Sequence, residues 1–412
     1  MLKSSQSSVY LIASMLVQMA NATMFTTYVV YYVTGLHLNP FQLLMVGTVL
    51  ELVYFFAEGP TGAWADTFGR KRSIVIGAMI LGCSYIFEGL LPVVFSIAAL
   101  FVGLLLAEGV RAIGEAFFSG AMQAWIADEV EQKELGQLLL RTASMERAAS
   151  IVGILLSVFV TSFHLNLGYV CGGVMYLCLG LFLLFSVRET GFQPEAQGVD
   201  GGVGQVANTL LQGIRTIRRI PVLWGLLLVS LFVGVASEGI DRLWGTHFIT
   251  DIGFPAFGHW HTVVWFGILA VLANAAGAIA AGMSSRYLDT EAPDRMTRIL
   301  ALITLLRIGL IGLFAFASRF SVAIVAYLAI TVTATLFQTL FEVWKMQNIP
   351  SPVRATVMSM LGQMDALGQS CGGPVIGMIG SRYTIRTALV AAALLLSPTL
   401  GAYAWFKRLR LR

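Results

Sequence analysis

Residues 62–72 read Gly62-Ala63-Trp64-Ala65-Asp66-Thr67-Phe68-Gly69-Arg70-Lys71-Arg72. Two glycines, one acid and three consecutive basic residues stand between apolar runs at 40–62 and 73–93. Each run is long enough to cross a ~30 Å hydrocarbon core as a helix. A short charged turn between two such runs is a loop at a membrane face. Outward from this loop the same alternation repeats. A window of about 20 residues marks twelve spans, near 9–33, 40–62, 73–93, 97–125, 139–162, 166–186, 221–249, 259–282, 297–317, 321–344, 356–380 and 384–406. They are too long and too evenly apolar for barrel strands, so they are read as helices.

Composition agrees. Of 412 residues, 57% are apolar and 12% charged, against about 25% charged in soluble domains. So few charges cannot cover a water-soluble surface, and disordered, nucleic-acid-binding and disulfide-stapled classes are excluded. The net charge of +4 is too small to point to a polyanionic partner. Cys83, Cys171, Cys178 and Cys371 all lie in apolar stretches without CxxC or Cys/His spacing, so no metal or cofactor is expected. Lys3 and Ala20-Asn21-Ala22 imitate a secretory leader, but the apolar run continues to Val33. It is therefore read as an uncleaved first span.

One interruption is long. Residues 187–220 begin with a polar stretch containing Gly191, Gly198, Gly201, Gly202 and Gly204. Val206, Leu210, Ile214 and Ile217 follow, interleaved with Arg215, Arg218 and Arg219. That spacing predicts an amphipathic helix on an anionic cytoplasmic leaflet. It divides the chain into a bundle over 1–186, a linker over 187–220 and a bundle over 221–412. If the spans alternate, Lys3, Arg70, Lys71, Arg72, Lys133, Arg188, the linker arginines, Arg286, Arg295, Arg298, Lys345, Arg354 and the basic tail share one side. Arg319, Arg382 and Arg386 fall on the other. The positive-inside rule places both termini in the cytoplasm.

The loop at 62–72 resembles the G-x-x-x-D-x-x-G-R-K/R signature of the major facilitator superfamily, and stands between spans two and three as it does there. Its glycines suit a tight turn and a close helix approach. Asp66 suits the positive N-terminal end of a neighbouring helix, and Arg70 suits an acid at another helix end, for which Asp128 is the candidate. The resemblance implies that Gly62, Asp66, Gly69, Arg70 and Asp128 form a conformational latch. It also implies the major facilitator fold: an all-α membrane protein with 12 transmembrane helices in two pseudo-symmetric six-helix bundles. The loop after span eight, Gly282-Met283-Ser284-Ser285-Arg286, has arginine in place of the aspartate. Glu108-Gly109-Val110-Arg111-Ala112-Ile113-Gly114-Glu115 on span four is similar to the superfamily's intramembrane-arginine motif, without its glutamine. Residues Ser237 to Trp244 resemble the macrolide/tetracycline-efflux-like branch of drug/proton antiporters. Those antiporters carry a Gly-Pro pair in span five; here that region reads Ala149-Ser150-Ile151-Val152-Gly153, and the nearest pair is Gly373-Pro374 on span eleven.

An ionisable group inside the bilayer costs several kcal/mol, so each is a functional candidate. Glu108, Arg111 and Glu115 fall on one helix face within about 60°. An arginine between two acids is nearly neutralised, and a carboxylate that loses it can take a proton instead. Glu238, Asp241 and Arg242 repeat the idea on span seven, where fixing helix packing is the competing role, as it is for Glu146-Arg147. Glu51, Asp365 and Arg307 lie within other spans, whereas Glu58 and Glu342 sit near span ends. Tyr28, Tyr54, Phe55 and Trp244 are candidate linings of an apolar cavity, with Gln18, Asn21, Asn274 and Gln338 as polar handles. For Tyr31, Tyr32 and Trp265, aromatic belts at the membrane interfaces are the competing role.

No GxxxxGK[ST] phosphate loop occurs, so transport energy must come from an ion gradient or the substrate's own. Buried carboxylates favour protons. The expected function is proton-coupled secondary transport by alternating access, exporting amphipathic drugs or toxic compounds, in the cytoplasmic membrane of a bacterium. A carrier of the same fold for a specific metabolite, siderophore or lipid-like substrate is the alternative. The expected partners are a small-molecule substrate, protons and the lipid bilayer, with no nucleic acid, and the protein is expected to be a monomer. Outside this class, His247, Asp251, His259 and His261 are the constellation that a polytopic metal enzyme would use. A transporter-like receptor would bind ligand without counterflow.

Overall fold

The computed structural model describes residues 5–190, 221–255, 262–287, 293–349 and 354–410, and all regular structure among them is helical. In chain order the helices are α1 (Ser5–Phe25), α2 (Pro40–Phe68), α3 (Arg70–Val94), α4 (Ile97–Glu129), α5 (Gln132–Thr161) and α6 (Leu167–Ser186). The second series is α7 (Pro221–His247), α8 (Thr262–Tyr287), α9 (Pro293–Ala315), α10 (Phe320–Asn348), α11 (Arg354–Arg382) and α12, which is in two pieces (Ile385–Leu394 and Ser397–Arg410). Ten are long and apolar enough to cross a membrane. The other two, α4 and α11, are the helices that carry Glu108, Arg111, Glu115 and Asp365. The amphipathic helix expected over 206–217 lies outside the described residues.

Several helices outrun their apolar cores. α2 continues past residue 62 to Phe68, so the expected loop narrows to Gly69 alone, whose φ of 107° only glycine adopts freely. α12 breaks because Pro398, the second residue of its second piece, has no N–H to donate and its ring crowds the carbonyl four residues earlier. Helices α1 and α7 share a different ending. After Phe25 the chain makes a short turn, resumes at Tyr28–Val30 and runs into a π-helical segment, Tyr31–Gly35. His247 leads directly into another, Phe248–Ile252.

The chain forms two compact units. Unit 1 holds α1, α2 from Leu52, α3 to α6 and the start of α8 through Gly267. Unit 2 holds Leu38–Glu51, α7, α8 from Ile268 and α9 to α12. Within unit 1, α1 packs on α5 and α6, and α3 packs on α4 and α6. Within unit 2, α7 packs on α11 and α12, and α9 packs on α10 and α12. The second set is the first advanced by six helices, so the same packing diagram is built twice.

Close crossings rest on glycine, as expected where apolar solvent provides little drive for helices to associate. A Cβ added to Gly82 on α3 would lie 2.8 Å from the Gly173 carbonyl of α6, and one on Gly173 would lie 2.7 Å from the Gly82 carbonyl. Gly62 is different: a Cβ there meets nothing within 4 Å, so its expected part in a close helix approach is not seen. Gly173→Val should therefore lower the thermal stability of detergent-purified protein by ~1–3 kcal/mol of overpacking, while Gly62→Ala should not lower it. Equal losses at both positions would contradict this packing account.

Candidate functional site

Spacing on α4 builds the first part of the site. Glu108, Arg111 and Glu115 recur on one helix face, where side chains three and four apart meet. Glu108 is fully buried, Arg111 is 8% exposed, and the Glu115 side chain is 33% exposed. Arg111 Nη1 donates to both Glu108 oxygens at 3.2 and 3.1 Å, and its Nε donates to Glu115 Oε1 at 3.0 Å. The guanidinium also lies over the rings of Phe25 at 4.9 Å and Tyr85 at 5.4 Å, within cation–π range. A planar fork meets two acids and two ring faces at once, which a lysine ammonium could not do.

The second part of the site centres on Glu88, which spacing along one helix does not single out. Glu88 of α3 is fully buried and stands beside Glu108. The Tyr32 hydroxyl is hydrogen-bonded to Glu88 Oε1 and lies 3.1 Å from Glu108 Oε1. Tyr169 on α6 donates to the Tyr32 oxygen at 3.0 Å, and Tyr31 donates to the Glu88 backbone carbonyl at 2.9 Å. The π-helical segment Tyr31–Gly35 contributes both tyrosines, in keeping with the frequent occurrence of π turns at functional sites. Tyr31, Tyr32 and Trp265 are all buried, so their rings face protein. The available signal for Glu88 was an acid inside an apolar run. Its place near the end of that run hid it.

Aromatic rings close the cluster. Tyr32 stacks on Tyr169 at 6.0 Å and 13°, and Tyr28 meets Tyr32 edge-on at 5.8 Å. Asn21 accepts a hydrogen bond from Tyr176 at 2.8 Å, and Gln18 is half-buried on the same helix. Tyr54 is placed elsewhere in unit 1. Its hydroxyl is 3.2 Å from Ser119 Oγ, and it lines a cavity of about 470 Å³ with Glu58, Asp66, Arg70 and Gln123.

Unit 2 carries a second set of charges. Arg242 Nε donates to the buried Glu238 at 3.0 Å, and Asp241 is exposed. Trp244 stacks on Tyr327 at 4.5 Å. Asp365, half-buried, accepts from Gln369 at 2.9 Å, and the buried Arg307 lies 5.5 Å from the Phe337 ring centroid. Glu51 and Asn274 are half-buried, while Gln338 is exposed on α10. His247 is hydrogen-bonded at both nitrogens, Nδ1 to Asp251 at 2.8 Å and Nε2 to the Phe314 carbonyl at 3.1 Å. It therefore has no ring nitrogen free to ligate a metal, and His259 and His261 lie outside the described residues.

At the turn between α2 and α3, Arg70 is paired with Asp128, lies 3.7 Å from Asp66, and donates to the Ala124 carbonyl at 2.7 Å. Glu189, just after α6, accepts from the backbone N–H of Arg70 at 2.6 Å and of Lys71 at 3.4 Å. These are the unpaired amides at the positive end of α3.

A twice-built six-helix packing around membrane-buried charges is the architecture of a secondary transporter. Residues 10–373 match the family model of the Major Facilitator Superfamily, and the chain belongs to that superfamily. It is 19% identical over 356 residues to the uncharacterized MFS-type transporter YxaM of Bacillus subtilis (strain 168), covering 86% of this chain and 84% of that protein. Among solved structures, the nucleoside transporter NupG superposes with a TM-score of 0.75 at 15% identity, covering 97% of this chain and 98% of that one. A bacterial homolog to the human lysosomal transporter Spinster superposes with a TM-score of 0.74 at 17% identity, covering 98% and 97%. The protein is thus an integral membrane transporter with the alternating-access fold, and not an enzyme.

Removing one partner of a buried ion pair strands the other. Arg111→Gln should destabilise the purified protein by roughly 3–5 kcal/mol, and adding Glu108→Gln to it should recover part of the loss. Thermal unfolding of both variants measures this, and strictly additive losses would contradict the pairing.

Proposed function

We propose that this chain is a proton-coupled secondary active transporter that exports amphipathic cations, including drugs or toxic compounds. The observation that carries the reading is the charge count in unit 1: Glu88, Glu108 and Glu115 surround one guanidinium, Arg111. Surplus carboxylate in apolar surroundings calls for a compensating cation. A proton and an organic cation would compete for that charge, which is the requirement for antiport. The rings of Phe25, Tyr28, Tyr32 and Tyr85 favour an organic cation over a neutral compound. Glu51, Glu238, Asp241, Arg242 and Asp365 are assigned to the same cycle from unit 2, with Trp244, Asn274 and Gln338 as substrate contacts. Gly62, Asp66, Gly69, Arg70 and Asp128 are assigned to the latch.

In this reading the protein works as a monomer in a bacterial plasma membrane, with both termini cytoplasmic and bundles over 1–186 and 221–412. The proline-free α5 supports a second reading, a carrier of the same fold for one metabolite. Purified protein in liposomes with a trapped pH-sensitive dye distinguishes the two. Cationic amphipathic compounds such as tetraphenylphosphonium should drive proton movement under an imposed gradient, and Arg111→Ala should abolish it. Tight binding of a single metabolite without proton movement from any cation would favour the second reading. Asp66→Ala should slow turnover while leaving substrate affinity unchanged. Lost affinity at normal turnover would remove Asp66 from the latch.

A further inference from the structure

The Tyr32 hydroxyl has more neighbours than it has hydrogens. A phenol has one hydrogen to donate and two lone pairs. The Tyr32 oxygen already accepts from Tyr169, and its single hydrogen faces two carboxylates, Glu88 Oε1 and Glu108 Oε1. If both acids were ionised, two buried anions would share that one hydrogen, because the other hydroxyl near Glu88, Tyr169, already donates its hydrogen to Tyr32. Glu88 Oε2 would also be a buried charged oxygen with no hydrogen-bond partner among the described residues. Glu108 has Arg111, but no lysine or arginine among the described residues forms an ion pair with Glu88.

One extra proton resolves every contact. Placed on Glu88 Oε1, it is donated to the second lone pair of Tyr32, and Tyr32 donates its own hydrogen to Glu108. Arg111 completes the Glu108 carboxylate from the other side. The unpartnered Glu88 Oε2 then becomes the carbonyl oxygen of a neutral acid, a far cheaper group to bury than a charge.

We propose that Glu88 is the proton-carrying carboxylate of the transport cycle and that Tyr32 relays its proton to Glu108. This rests on the proton-coupled reading above and names its proton site. In the step, the Glu88 O–H bond breaks as its proton passes to the Tyr32 oxygen, and the Tyr32 O–H bond breaks as that hydrogen passes to Glu108. Tyr32 ends unchanged, Glu88 becomes a carboxylate, and Glu108 becomes a neutral acid released from Arg111. Arg111 keeps Glu115, the most exposed member of the cluster, so the proton moves from the sealed end of the network toward its open end. The groups facing Glu88 are Tyr31 and Tyr32 from the end of the first span, Glu108 and Arg111 from α4, and Tyr169 from α6. Tyr85 lies one turn away on α3 itself.

The test compares full-length wild-type protein with Glu88→Gln and Tyr32→Phe in liposomes. Glu88→Gln should lose tetraphenylphosphonium-driven proton flux to the level of empty liposomes while still eluting as a monodisperse protein with a cooperative thermal unfolding transition. Tyr32→Phe, which keeps the Glu88 carboxyl, should lose the flux in the same way. Wild-type proton flux in Glu88→Gln would overturn the assignment. An absence of flux in the wild type would instead defeat the underlying proton-coupled reading. Infrared spectroscopy then decides the proton site independently of transport. The carbonyl band of a protonated carboxylic acid should be present in the wild type and in Tyr32→Phe and missing in Glu88→Gln. Its persistence in Glu88→Gln, or its absence from the wild type, would overturn the proposal.

Discussion

A permanently charged guanidinium inside an apolar medium has to be neutralised by protein, and Arg111 sets that requirement for unit 1. Leaving such a charge uncompensated would cost several kcal/mol, a large share of the stability of any fold. α4 supplies both counter-ions from its own face, through Glu108 and Glu115. The buried Glu108 also takes a hydrogen-bond donor from another helix: Tyr32, at the end of the first span, whose oxygen in turn accepts from Tyr169 on α6. α3, which carries Glu88, and α6, which carries Tyr169, cross closely at Gly82 and Gly173. Charge, hydroxyl network and glycine crossing are thus parts of one solution.

The same packing diagram recurs in unit 2 with different chemistry. α7 occupies the place that α1 has in unit 1, and both lead into a π-helical segment. In unit 1 that segment delivers two tyrosines to a buried acid. In unit 2 it holds Asp251 against His247. The ion pair of unit 2, Glu238 with Arg242, also comes from a single helix at i, i+4 spacing. The scaffold is thus repeated without repetition of the residues it carries.

How much of this was legible follows from whether the signal was local. Hydropathy located all twelve helices, ten of them long and apolar enough to cross a membrane and the other two, α4 and α11, interrupted by charge. Spacing along one helix brought Glu108, Arg111 and Glu115 together, and Glu238 with Arg242, since i, i+3 and i, i+4 neighbours need no tertiary information. The family signature pointed to the Arg70 turn, yet the acid on the α3 amides is Glu189, 119 residues along the chain from Arg70. The pairing of Glu88 with Tyr32 spans 56 residues, and no periodicity reports such a contact. Helix ends were misjudged for a related reason: α2 remains helical beyond its apolar stretch, out to Phe68. The break in α12 within the span read as 384–406 was missed, since Pro60, Pro92 and Pro374 sit inside unbroken helices and a proline alone does not mark a break.

The central claim is that surplus carboxylate in unit 1 is compensated by either a proton or a substrate cation. It is tested most directly by adding tetraphenylphosphonium to the wild-type protein in weakly buffered detergent solution and recording pH. Binding should release protons, and the release should vanish when the solution is already alkaline enough to have emptied the site. Binding with no proton release at any pH would contradict the account.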